Sequence, residues 1–258
     1  MIEVNKIYNE INLVTMKKME DGFISGIITS PPYNIGKKRK DGYYNTGYRD
    51  VDNLSSDEYL RVRTLEFKEF SRILKKGGVI CYNLSYMHDN PILPNLLVTK
   101  IHEETDLTLG DIIYWKKNNS IPFQSSPNKL SRIVEPVYIF VHKSHVNTFK
   151  ANKEVSKINP KTKQLFYKKY DNYLEAKNND GYKTALKAVY STELVSKLIN
   201  IYFPKDSTIY DPFMGSGTTA IGCILTGRNY IGSEMKEEFY NDSLTRINSL
   251  YAEKEKVK

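Results

Sequence analysis

A chain of 258 residues with 40% hydrophobic content is long enough to bury a substantial core, and it suits one α/β domain carrying an insertion better than two full domains. Its net charge of +8 and pI near 9.1 favour a polyanionic partner. No apolar run approaches the ~18 residues of a membrane span, and Glu3 and Glu10 interrupt the basic-then-apolar layout of a signal peptide, so a cytoplasmic protein without membrane contact is expected.

The predicted elements run as follows. Lys6–Asn12 reads as a short strand, followed by a helical turn through Met16 and Met19 and a turn at Glu20, Asp21 and Gly22. Phe23–Ile28 is an apolar strand that runs into Thr29, Ser30, Pro31, Pro32 and Tyr33. Gly36–Asp52 shows neither helical nor strand periodicity and reads as a long loop, a length usually tied to function. Ser55, Ser56, Asp57 and Glu58 offer N-cap chemistry for a helix whose face carries Tyr59, Val62, Phe67, Phe70, Ile73 and Leu74 and which Gly77 and Gly78 should stop.

Val79–Leu84, Asp111–Trp115 and Val137–Val141 read as strands, with a helix over Ile92–Ile101 between the first two. After residues 143–187 come a helix over Thr192–Tyr202, a strand Thr208–Asp211, a helix Thr218–Leu225, a strand Tyr230–Ser233 and an amphipathic helix Glu237–Tyr251. This alternation predicts a doubly wound, mostly parallel α/β sheet with helices on both faces.

The charge is concentrated. Lys143 to Lys187 holds eleven lysines against four acids, an excess close to that of the whole chain, interleaved with Phe149, Phe166, Tyr167, Tyr170 and Tyr173. The stretch reads as an inserted, mostly irregular module between two parts of one catalytic domain, residues 1–142 and 188–258. Lysine runs are often only solvated faces, but lysines with interleaved aromatics suit phosphate contact and base stacking. Lys161, Lys163, Lys168 and Lys169 are the candidate nucleic-acid contacts here, and Lys37, Lys38, Arg39 and Lys40 could clamp a backbone beside the Pro-Pro motif.

Asp211, Pro212, Phe213, Met214, Gly215, Ser216, Gly217, Thr218 and Thr219 place two glycines between a strand and a helix, where backbone approaches a ligand closely and helix N–H groups meet an anion. A P-loop would need a lysine before Thr218, and a dinucleotide fingerprint a third glycine that Ala220 only partly replaces. S-adenosylmethionine fits better: its carboxylate at the helix start near Thr218 and Thr219, its ammonium at Asp211, its ribose at Glu234 after the next strand. The cofactor set is Asp211, Phe213, Gly215, Gly217, Thr218, Thr219 and Glu234.

The candidate catalytic set is Ser30, Pro31, Pro32 and Tyr33. An aromatic amine has its lone pair delocalised into the ring, so acceptors must draw its hydrogens out of plane. The Ser30 hydroxyl and the Pro31 carbonyl could do so, held by prolines whose φ is fixed and which carry no N–H. Tyr33 would stack on a base taken out of the duplex. Cys81 and Cys223 lie in apolar contexts without a CxxC or histidine partner, so they read as buried small hydrophobes, and neither a metal site nor the thiolate of a C5-cytosine methylase is expected.

At these residues the chain resembles the DNA amino-methyltransferases of the N4-cytosine and N6-adenine family: Thr29–Tyr33 matches the (D/N/S)PPY motif and Asp211–Thr219 the DPFxGSGTT motif. Leu74–Leu84 and Trp115–Phe140, including Asn119, Pro122, Ser131, Arg132 and Glu135, also look like family segments, so the likeness covers nearly the whole chain. The catalytic motif comes first, which is the order of the β group. The resemblance implies a seven-stranded sheet with a reversed hairpin, S-adenosylmethionine as cofactor, double-stranded DNA as substrate and target recognition between the motifs. It departs at Asn9–Asn12, where members often carry an acidic residue after the first strand, and at Tyr190–Thr192, where they commonly read His-Pro. Serine opens the motif in most N4-cytosine members and in some adenine enzymes, which favours cytosine over the N6-adenine alternative. Methylation of RNA or protein amines, and a catalytically silent nucleic-acid-binding relative, stay open at this point. A homodimer is one way a chain of this size would grip DNA, and a companion restriction endonuclease is a further open expectation.

Overall fold

The computed structural model describes residues 2–34, 54–86, 90–120, 127, 130–182, 184, 186 and 189–256. The expected loop at 36–52, with Lys37, Lys38, Arg39 and Lys40, lies outside them. The strands are β1 (Lys6–Tyr8), β2 (Ile24–Thr29), β3 (Leu74–Asn83), β4 (Leu107–Lys117), β5 (Val134–His142), β6 (Val155–Ile158), β7 (Leu165–Tyr167), β8 (Tyr173–Ala176), β9 (Thr208–Asp211) and β10 (Asn229–Ser233). The α-helices are α1 (Asn12–Lys17), α2 (Ser56–Ile73), α3 (Leu93–Glu104), α4 (Thr192–Tyr202), α5 (Thr218–Thr226) and α6 (Glu237–Lys256).

Eight strands form one sheet in the order β1-β10-β9-β2-β3-β5-β4-β8, and β6 and β7 form a separate antiparallel hairpin. Only β5 runs against its neighbours in the large sheet, since every other pairing is parallel. The mostly parallel α/β architecture is therefore as expected, with the reversed strand lodged between β3 and β4. The sheet has one strand more than the seven implied by the resemblance. The extra strand is β8, which comes from the lysine-rich stretch and pairs with β4, Tyr114 to Tyr173 through Lys117 to Ala176. It was hidden in the sequence because only Leu174 and Ala176 of its four residues face the core.

Strand side chains alternate between two cores. Ile27, Ile80, Tyr82, Phe140 and Tyr210 face one layer, where α1, α2 and α3 bring Met16, Phe67, Phe70, Ile73, Leu97 and Ile101. Ile28, Cys81, Ile139, Val141 and Ile209 face the other, covered by Leu194, Val195, Leu198 and Ile199 of α4, Ala220 and Cys223 of α5 and Ile247 of α6. Both cysteines are buried and free, and burial pushes both thiols far above their ordinary pKa. Among the described residues no helix is long and apolar enough to cross a membrane.

Several boundaries differ from the sequence reading. β1 ends at Tyr8, and α2 stops at Ile73 before its predicted glycines, because Leu74 already pairs with Ile24 and the Lys75–Gly78 segment continues as strand across a register shift in β2. β4 and β5 extend well beyond their apolar centres, since they pair with each other along Leu107–Lys116 and Val134–His142. The N-caps at Ser55 and Ser191 form as their chemistry dictates, each hydroxyl accepting from the amide three residues on.

Candidate active site and cofactor loop

In an open parallel sheet, ligands gather beyond the carboxyl ends of the strands. β2 and β9 are neighbours, with Ile27 opposite Tyr210, so Thr29 and Asp211 finish side by side although 182 positions separate them. The Thr29 hydroxyl donates to Asp211 Oδ1 at 2.6 Å, joining the Pro-Pro motif to the glycine loop. β10 ends beside β9, so Glu234 follows at the same edge.

Asp211 is fully buried, and its two oxygens receive four donors: Thr29 Oγ1 and the Phe213 amide (3.0 Å) on one, Thr219 Oγ1 (2.5 Å) and the Tyr190 hydroxyl (3.1 Å) on the other. Burial still raises its pKa, with those hydrogen bonds opposing. A carboxylate offers about four lone-pair positions, so Asp211 is a saturated hub that fixes both loops rather than an open acceptor. Tyr190, at the position where the resemblance leads to expect His-Pro, is part of this hub, and burial followed by Asp211 holds its phenol well above the ordinary range.

The glycine loop is shaped by backbone. Gly215 and Gly217 have φ of +54° and +82°, and a Cβ at Gly215 would strike Leu186 at 2.7 Å. Gly217 is the N-cap residue of α5, so the first amides of a nine-residue helix point out of the loop. The Thr218 hydroxyl accepts at 2.8 Å from Arg246, whose guanidinium is ion-paired with Asp180. Glu234 is 2% exposed, and its carboxylate accepts from the Gly215 and Lys236 amides, both at 2.9 Å.

The amine loop is equally fixed. The Tyr33 hydroxyl donates to Asn83 Oδ1 at 2.9 Å and lies 3.0 Å from Ser30 Oγ, while the Asn83 amide donates to the Pro136 carbonyl at 3.0 Å. Tyr59 of α2 donates to the Pro32 carbonyl at 3.0 Å. Among the described residues none donates to the Pro31 carbonyl, which keeps its acceptor capacity. Burial, and then the nearby Glu135 carboxylate, raise the Tyr33 phenol well above its ordinary pKa. Asn83, Tyr59 and Tyr190 were not singled out as site residues from the sequence. Asn83 carried the signal of a polar residue closing an apolar strand, and Tyr190 that of a departure from His-Pro.

Lys161 and Lys163 lie in the turn of the β6–β7 hairpin, Lys168 pairs with Glu154 across it and Lys169 with Asp171 at 3.1 Å; all four are exposed. The hairpin also exposes Val155, Ile158, Leu165, Phe166 and Tyr167. Among the described residues no cluster of histidine, cysteine or acidic side chains could hold a metal ion.

A family model described as DNA methylase, covering the N6 and N4 enzymes, matches residues 24–245. The chain belongs to the N6/N4 DNA methylase family. Members of it are enzymes, and this chain carries the family match across both loops. Type II methyltransferase M.ScaI of Streptomyces caespitosus is 23% identical, covering 93% of this chain and 80% of that protein. M.MthZI of Methanothermobacter thermautotrophicus is 25% identical, covering 96% and 78%. Among solved structures, the cytosine-N4-specific PvuII DNA methyltransferase superposes with a TM-score of 0.71 at 21% identity, covering 95% of this chain and 87% of that one. The complex of M1.HpyAVI with S-adenosylmethionine gives 0.61 at 22% identity, covering 93% and 98%. These methylases share the mostly parallel α/β fold of this chain.

Proposed function

We propose that this DNA methylase transfers a methyl group from S-adenosylmethionine to the N4 amine of a cytosine flipped out of double-stranded DNA at a specific sequence. The observation that carries the reading is the Thr29–Asp211 hydrogen bond, which holds the amine loop and the glycine loop against one another at one sheet edge. The residues present suit the cofactor. The α5 amides behind Gly217 suit its carboxylate, and the buried Glu234 carboxylate just after β10 suits its ribose hydroxyls. Asp211 is saturated, so its part is to hold Thr29, Thr219 and Phe213 in place rather than to meet the ammonium directly.

When bound, the cofactor supplies an electrophilic methyl group. The chain's own task is to make the amine nucleophilic. Ser30 Oγ and the Pro31 carbonyl accept its two hydrogens, which localises the nitrogen lone pair for attack. Asn83 orients Ser30 and Tyr33 through its side-chain oxygen. Ser30, Tyr33 and Asn83 are neutral, so no strong base removes a proton beforehand, and the proton on the methylated nitrogen passes to solvent water after the transfer. Serine at the head of the motif supports cytosine, and methylated adenine is the outcome that would refute this choice of base.

Residues 143–187, with the exposed lysine-bearing hairpin, are proposed as the target-recognition region of a catalytic domain formed by 1–142 and 188–258, and Lys37 to Lys40 as backbone contacts. A companion restriction endonuclease and a homodimer are further parts of this proposal. Labelled S-adenosylmethionine offered with duplex DNA, RNA and protein tests the substrate class: label should enter duplex DNA alone. Transfer to RNA or protein in its place would overturn the proposal. Glu234→Ala should weaken cofactor binding in equilibrium dialysis by tenfold or more, and unchanged binding would remove Glu234 from the site.

A further inference from the structure

Arg63 of α2 is 3% exposed, deep between the two loops, and no step of the methyl transfer uses it. Its Nε lies 3.2 Å from Glu66 Oε2, yet among the described residues neither Nε nor Nη1 has a hydrogen-bond partner. Burying a guanidinium with donors unpaired is costly, so its faces should carry compensating contacts. They do. The guanidinium carbon sits 4.9 Å from the centre of the Phe213 ring and 5.4 Å from that of Tyr59, the residue that holds the Pro32 carbonyl. Glu66 is fixed in turn by the Asn12 amide at 2.9 Å.

Phe213 is only partly buried, and its ring packs against Arg63 while part of the residue stays accessible. A cation against one face of an aromatic ring draws its π density inward. The accessible part of the ring is then poor at holding a second cation and better at stacking on a neutral, electron-rich ring. We infer that Arg63 is a positioning residue for the cofactor: packed behind Phe213, it orients that ring to stack on the adenine of S-adenosylmethionine and turns it away from the sulfonium. The inference rests on the cofactor reading under Proposed function.

The test is binding of S-adenosylmethionine and of its neutral thioether product, S-adenosylhomocysteine, to wild type and to the paired replacement Arg63→Met with Glu66→Met. Replacing a buried ion pair by apolar side chains of similar size is often neutral for stability, and thermal unfolding checks it here. A desolvated cation–π contact corresponds to about tenfold in affinity. The paired variant should therefore bind both ligands about tenfold more weakly and by the same factor, and in a Phe213→Leu background the pair should add no further loss. Wild-type affinity in the paired variant overturns the inference, as does a loss confined to the sulfonium ligand. If the paired variant does not fold, Arg63→Lys is read instead: a parallel loss of about threefold supports the role, and unchanged affinity for both ligands overturns it. Wild-type protein that binds neither ligand would instead sink the cofactor reading.

Discussion

At the scale of the residue, the proposed amine site is built of neutral groups, Ser30, Tyr33 and Asn83, held in fixed positions. Tyr33 carries the clearest pH consequence. Burial and Glu135 raise its phenol well above the ordinary value, so it stays protonated and keeps donating to Asn83 throughout the working range. The sign follows directly: a raised pKa keeps the proton on as pH climbs, so kcat should show no falling limb from Tyr33 between about pH 7 and pH 9. A limb in the pH–rate profile that Tyr33→Phe removes would contradict this. Asn83→Leu preserves size but deletes the acceptor that orients Ser30 and Tyr33. It should lower kcat by roughly 10- to 100-fold, on the order of one to three kcal/mol for a lost buried hydrogen bond, with cofactor affinity unchanged. Steady-state kinetics beside a binding isotherm would reveal whether the loss falls on binding instead.

The placement of the Pro-Pro and glycine loops was legible, because paired prolines, spaced glycines and an acid each follow an apolar strand, and the structure sets both loops at one sheet edge. Asp211 was legible as important but not in its role. The four donors that saturate it come from Thr29, Phe213, Tyr190 and Thr219, and no sequence pattern reveals that convergence. Arg63 gave no signal at all, since an arginine on a helix ordinarily reads as solvated.

At the scale of the element, the strands and helices with strong apolar patterns were readable, and those stabilised by neighbours were not. β8 exists because β4 offers it an edge, and Trp115 seals that edge by donating from its indole to the Ala176 carbonyl at 3.2 Å. The β6–β7 hairpin is exposed along both strands and packs little of its own. A lone two-stranded ribbon is marginal in water, so it should contribute little to the stability of the domain. Replacing residues 155–167 with a short glycine-serine linker should leave thermal unfolding and cofactor binding close to wild type while duplex affinity falls. A collapse in unfolding temperature would assign the hairpin to the core. Lys161 and Lys163 are not ion-paired among the described residues. Alanine at either should weaken binding to all sequences alike and reduce the salt slope of log K by about one. By contrast, Phe67 of α2 meets Phe70, Tyr82 and Phe140 edge-on within 4.9 to 5.0 Å. Phe67→Ala should cost about 3–5 kcal/mol in denaturant unfolding; a cost below one would mean this cluster is not the core of its layer.

At the scale of the molecule, the order of strands explains why two motifs far apart in sequence act as one site. β9 and β2 are adjacent parallel strands inside the sheet, and α2 and α3 cover one face while α4 and α5 cover the other. The proposed amine-activating loop at Ser30 and Pro31 and the proposed cofactor loop are then joined by the Thr29–Asp211 hydrogen bond. The claim that this edge methylates the exocyclic amine of cytosine in DNA is tested most directly in cells devoid of DNA methylation. Nucleoside mass spectrometry of their DNA should detect N4-methylcytosine when the wild-type chain is expressed and none when Pro31→Ala or Tyr33→Ala is expressed. No methylated amine in the wild-type sample, or undiminished methylation in both variants, would contradict the account.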